Sequence, residues 1–145
     1  MTMELLPQRA SPGSARNRRV LVVEDNPDLA TCLSLSLQLA GHEVFRAEDG
    51  VGAVEATTTV EPDCVLLDIG LPGLDGLETA RRIRQLHLKQ QPLIVATTAW
   101  GSALDRVASE EAGIDVHLVK PVELGVVLQL LEEEESSVTA DSASA

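Results

Sequence analysis

Polar residues capable of acting together stand at the carboxyl ends of short apolar runs. Glu24 and Asp25 follow Val20-Leu-Val-Val, Asp68 follows Val65-Leu-Leu, Thr98 follows Leu93-Ile-Val-Ala-Thr, and Lys120 follows Val116-His-Leu-Val. A carboxylate directly after an apolar strand is costly unless it is paired or coordinated. Three carboxylates gathered at one mouth would repel one another, and the physical remedies are a raised pKa or a bound cation. Oxygen donors without cysteine or paired histidine favour Mg2+, with Mn2+ the alternative, held by a few carboxylates together with phosphate oxygens. That chemistry is phosphate handling. Lys120 then pairs with a phosphoryl oxygen as a point charge, the Thr98 hydroxyl donates to another, and Asp68, the central carboxylate, is left to act as nucleophile.

The elements that must position these groups follow from the hydrophobic pattern. Strands are expected at Val20 to Glu24, Glu43 to Ala47, Cys64 to Asp68, Leu93 to Thr97 and Val116 to Val119, mostly as continuous aliphatic runs, which implies burial on both faces. Helical patterns alternate with them. The first has Asn26 as N-cap, Pro27 at its first position and Gly41 at its end. The second spans about Asp49 to Thr59 despite Gly50 and Gly52, and the third about Asp75 to His87. The fourth opens at Ser102, with Asp105 three residues on, and closes at Gly113. The fifth carries an apolar stripe at Leu124, Val127, Leu128 and Leu131, and Glu132 to Glu135 oppose the dipole at its end. Alternation of this kind predicts an α/β fold with a doubly wound, five-stranded parallel sheet, (βα)5, flavodoxin-like with strand order 2-1-3-4-5. In such a sheet ligands bind beyond the carboxyl ends of the strands.

Composition bounds the rest. The 145 residues suit one domain, and with one Trp, one Phe and no Tyr the core must be aliphatic. A net charge of −12 excludes nucleic-acid and anionic-membrane surfaces. Arg16, Arg18 and Arg19 read as a solubilising flank, and Cys32 and Cys64, which lack metal or redox spacing, as small core residues. No apolar run approaches membrane-spanning length, so a cytoplasmic protein is expected. Residues 1–17 and 135–145 read as flexible tails around a domain at 18–134.

Four segments, in order, resemble the receiver domain of two-component response regulators. They are Val20-Leu-Val-Val-Glu-Asp-Asn-Pro, Val65-Leu-Leu-Asp-Ile-Gly-Leu-Pro-Gly-Leu-Asp-Gly, Ala96-Thr-Thr-Ala and Lys120-Pro121. The resemblance implies that Asp68 is phosphorylated by a histidine kinase or a histidine phosphotransfer protein. Glu24 and Asp25 would place Mg2+, Asp68 would ligate it directly, and Gly70 would offer its backbone carbonyl. Lys120 would hold the phosphoryl group, Thr98 would move toward it, and the bond before Pro121 would be cis. Such a chain is no enzyme beyond its own phosphorylation and dephosphorylation.

His117 takes a place where this family commonly has an aromatic residue whose rotamer reports phosphorylation, and an imidazole there, its reference pKa ~6.5, would add pH sensitivity. The alternative is an ordinary exposed strand residue. Gly70 and Trp100 occupy positions that tune phosphoryl lifetime. Without a side chain at Gly70 to orient water, and with the bulk of Trp100 for shade, slow autodephosphorylation is expected. The stretch from Glu111 to Val122 resembles receivers of hybrid sensor kinases, so a freestanding receiver and one cut from a hybrid kinase both stay open.

Output is expected through the fourth helix, fifth strand and fifth helix, from a monomer or weak dimer. On the first helix, Thr31, Ser34 and Gln38 form a polar side that could dock the phosphodonor. Two other functions compete: a phosphate-independent interaction module of the same fold, and a Mg2+-dependent phosphohydrolase with an aspartyl-phosphate intermediate. Gly70 counts against the latter, because such enzymes usually carry a second Asp there.

Overall fold

In the computed structural model, residues 17–70, 75–98 and 106–132 are described. Expectations placed on Trp100, on the helix start at Ser102 and Asp105, and on both tails lie outside those residues. The chain alternates β1 (Arg19–Val23), α1 (Pro27–Leu39), β2 (Glu43–Ala47), α2 (Gly50–Val60), β3 (Cys64–Asp68), α3 (Gly76–Arg84), β4 (Leu93–Thr98), α4 (Arg106–Ala112) and β5 (Val116–Val119). A fifth helix, α5, covers 124–132. All strand pairs are parallel, in the order β2-β1-β3-β4-β5. The order reverses beside β1, and the carboxyl ends of β1 and β3 therefore flank a crevice at the switch point.

Strand alternation divides the core between two faces. Val20, Val22, Cys64, Leu66 and Val95 pack under Leu33 and Leu37 of α1 and Val127 and Leu131 of α5. Leu21, Val23, Val65, Leu67, Ile94 and Ala96 pack under Ala53 of α2, Ala80 and Ile83 of α3 and Ala112 of α4. The three central strands are accordingly buried almost throughout, and the edge strands β2 and β5 only in part. The core is aliphatic; Phe45 packs at its margin with the Arg19 guanidinium 5.5 Å above the ring.

Local chemistry sets most boundaries. The Asn26 side chain caps α1 by accepting from the amides of Asp28 and Leu29, and Gly41 leaves the helix at φ 100. Asp49 caps α2 by accepting from the Gly52 amide at 2.8 Å, which compensates for the glycines in its first turn. β1 begins and ends one residue earlier than expected, since Arg19 pairs with Glu43 in register and by a 3.6 Å ion pair. β4 extends one further, to Thr98.

Three expectations are corrected. α3 ends at Arg84 rather than His87, because the Gln91 side chain takes the carbonyls of Ile83 and Leu86 and turns the chain there. Cys32 is exposed, while Cys64 is buried. Ser34 is buried on the core side of α1, so it does not share an exposed stripe with Thr31 and Gln38, and Thr31 accepts a bond from Arg46.

Candidate phosphoacceptor and metal site

The carboxyl ends of β1, β3, β4 and β5 bring Glu24, Asp25, Asp68, Thr98 and Lys120 to the same end of the sheet. Register fixes this arrangement. Val23 pairs with Leu67, Asp68 with Thr97 and Thr98 with Val119, and the Lys120 amide then donates to the Thr98 carbonyl at 2.8 Å. Carboxylate oxygens of Glu24, Asp25 and Asp68 all lie within 4.8 Å of one another, with Glu24 and Asp68 buried and Asp25 exposed. Three hard oxygen donors so placed suit a small divalent cation, and the exposed Asp25 leaves an entrance from solvent.

Lys120 lies between the two buried carboxylates, its Nζ 3.4 Å from Glu24 Oε1 and 3.4 Å from Asp68 Oδ2. The other oxygens are held by backbone: the Asn26 amide donates to Glu24 Oε2 at 3.2 Å, and the Gly70 amide donates to Asp68 Oδ1 at 3.0 Å. Burial raises the Glu24 pKa above its ordinary value; the Asn26 amide opposes this, the Asp68 charge adds to it, and Lys120 opposes it. Desolvation of Glu24 therefore outweighs the help it receives, and a divalent cation would relieve it.

The peptide bond between Lys120 and Pro121 is cis. His117 lies on β5 opposite Ala96, half-buried, and Nε2 of its ring hydrogen-bonds the Oγ of Ser109 on α4. The amide of Gly70, as a donor to Asp68, and Ser109, as a partner of His117, were not legible in the sequence. A backbone donor leaves no residue-type signal, and Ser109 is one small polar residue in a helix with nothing in its spacing to mark it.

A family model described as the response regulator receiver domain matches residues 20–132. Among solved structures, the chain is similar to the receiver domain of sensor histidine kinase PA1611 from Pseudomonas aeruginosa PAO1, which has a magnesium ion coordinated in its active-site cleft. The identity is 31% over 81% of this chain and 97% of that one, with a TM-score of 0.73. A response regulator from Chloroflexus aurantiacus is 34% identical over 81% and 97% of the two chains, with a TM-score of 0.72. The third is the receiver domain of Ssk1 from Saccharomyces cerevisiae, co-crystallised with the histidine phosphotransfer protein Ypd1. That likeness is 28% over 77% and 83%, with a TM-score of 0.69.

Proposed function

The chain belongs to the response regulator receiver family and is a phosphoacceptor of two-component or phosphorelay signalling, and we propose that Asp68 is the residue that carries the phosphoryl group. The observation behind this assignment is the position of Asp68: it is the central carboxylate of the cluster, with Lys120 Nζ at one oxygen and the Gly70 amide at the other.

In this reading Glu24, Asp25 and Asp68 would hold Mg2+, and the carbonyl of Gly70 would offer a further oxygen. The ion, when bound, neutralises charge on the carboxylates and on the incoming phosphoryl oxygens. Asp68 attacks the phosphorus of a phosphohistidine. The P–N bond breaks, its electron pair leaves with the imidazole nitrogen, which takes up a proton, and an aspartyl phosphate remains. Lys120 pairs with one phosphoryl oxygen and the Thr98 hydroxyl donates to another. Hydrolysis of the mixed anhydride returns the carboxylate and inorganic phosphate, so the chain acts only on its own phosphoryl group.

The donor is a histidine kinase or a histidine phosphotransfer protein. The relation to a receiver crystallised with such a protein supports the latter. Output leaves through α4, β5 and α5, where Val107, Val119 and Val126 are exposed. The functional unit spans 18–134, and its setting is cytoplasmic; no described helix is long and apolar enough to cross a membrane.

Incubation with Mg2+ and acetyl phosphate, followed by intact mass, tests the assignment against an Asp68→Asn variant. One phosphoryl adduct that requires both Asp68 and Mg2+ is expected. An adduct that survives in Asp68→Asn would place the acceptor elsewhere, and no adduct on folded wild-type protein would overturn the phosphoacceptor chemistry.

A further inference from the structure

α4 meets β5 through a polar contact as well as apolar ones. Ser109, in the middle of α4, is completely buried, and its hydroxyl is hydrogen-bonded to Nε2 of His117. The register sets His117 opposite Ala96 and Val119 opposite Thr98. Alternation then puts Ala96, Thr98 and His117 on one sheet face, the face covered by Ala112 of α4. The imidazole thus lies between α4 and β5 on the side of the sheet that also bears Thr98.

The other end of α4 is tied down separately. Arg84 donates to the Gly113 carbonyl from Nε at 3.0 Å and from Nη2 at 2.7 Å, and pairs with Asp115 at 2.7 Å. These charge-assisted bonds fix the carboxyl end of α4 to α3 and to the entry of β5. In a parallel βαβ unit the amino end of the crossover helix faces the carboxyl ends of the strands. A displacement spreading from the phosphoryl site therefore reaches the Ser109–His117 contact before the Arg84 anchor.

We propose that Ser109 is a positioning residue that latches His117 to α4, so that phosphoryl transfer at Asp68 must break this bond to move α4 away from β5. In the joined arrangement the Ser109 hydroxyl is buried with the His117 imidazole as its hydrogen-bond partner, so separating α4 from β5 gives up that bond. The latch weights the equilibrium toward the joined arrangement by about two- to tenfold, the range of one neutral hydrogen bond, and phosphate must supply at least that much differential affinity. This rests on the receiver reading, and it assigns a regulatory contact to that same site.

The test compares isotope-labelled wild type, Ser109→Ala, Ser109→Thr, His117→Phe and the double variant Ser109→Ala/His117→Phe by NMR, before and after addition of Mg2+ and acetyl phosphate. In unphosphorylated protein the Nε2 resonance of His117 should move in Ser109→Ala and return in Ser109→Thr. At matched phosphorylation, Ser109→Ala should show a rearranged-to-joined ratio for α4 and β5 amides about two- to tenfold above wild type. His117→Phe should show a similar gain, and the double variant should add nothing further.

Nε2 signals indifferent to Ser109→Ala, or additive gains in the double variant, would overturn the latch. Should Ser109→Ala not fold, His117→Phe with Ser109 intact carries the comparison, and absence of a gain there overturns it equally. Failure of the receiver reading is distinct: it appears as a wild-type protein that takes no phosphoryl adduct, whereas the imidazole comparison is made before any phosphate is added.

Discussion

At the scale of single residues, the candidate site was legible as a cluster because its members break a local rule. Asp68 ends an apolar strand, Glu24 and Asp25 follow another, and Lys120 follows a third, each a charge where burial is costly. The structure places Lys120 3.4 Å from both buried carboxylates, where it competes with any cation for the same negative charge. Lys120→Met should therefore separate two properties. Mg2+ should bind more tightly, by about tenfold or less, since one cation has been removed from the cluster. Adduct formation from acetyl phosphate should slow by about tenfold or more if, as proposed, Lys120 supplies the counter-charge to a phosphoryl oxygen. Mg2+ titration and intact-mass kinetics check both, and weaker Mg2+ binding would contradict the competition.

Trp100, two residues beyond Thr98 in the chain, carries a second prediction: Trp100→Ala should lose its phosphoryl group several-fold faster than wild type, followed as adduct decay. Cys32 shows where residue-level reading stopped. Its apolar neighbours suggested the core, but the turn of α1 carries it to the exposed side while Leu33 goes in.

Elements were readable wherever their ends are set by chemistry near in sequence. Asn26 with Pro27 marks the start of α1, and Gly41 and Gly113 leave their helices at φ 100 and φ 94. The end of α3 was not readable, because it is fixed by Gln91, which reaches back across a loop to the carbonyls of Ile83 and Leu86. Ser34 was misplaced for a related reason: a small hydroxyl residue carries too little polarity to reveal that it packs inward. The α4–β5 turn offers the sharpest element-scale prediction. A Cβ at Gly113 would sit 2.5 Å from Arg84 Cγ as well as at positive φ, and Arg84 is held by bonds to Gly113, Pro92, Gln91 and Asp115. Gly113→Ala should destabilise the fold by about 2–3 kcal/mol. Adding Arg84→Ala should not restore stability, since the backbone conformation stays unfavourable and the anchor is lost. Urea unfolding measures both, and a Gly113→Ala protein as stable as wild type would mean that the turn relaxes without strain.

Across the whole molecule, the candidate site and part of the stability sit at opposite ends of the same sheet. The acidic cluster occupies the carboxyl ends of the strands, while His42 stands at the amino ends, where its Nδ1 accepts from the Arg18 amide at 3.1 Å just before β1. Burial lowers the His42 pKa and the Arg18 charge lowers it further, against opposing effects of Glu132 and Asp63, so the folded protein holds this imidazole neutral more strongly than the unfolded chain does. The sign follows. Below the ordinary value of 6.5 the unfolded state binds the proton first, and stability rises with pH wherever the unfolded state carries more protons. The contribution of His42 is thus complete above pH 6.5 and is lost as pH falls through the folded-state value, when the protonated Nδ1 can no longer accept from Arg18. Denaturant midpoints for wild type and His42→Gln, taken across this range, should keep a constant difference above pH 6.5 and converge or cross below it. A difference that does not change with pH would mean that His42 contributes by packing alone. Because this titration lies at the end of the sheet away from Asp68, phosphoryl uptake per folded molecule should be unaffected by His42→Gln, which separates a fold that loosens in acid from a site that fails in acid.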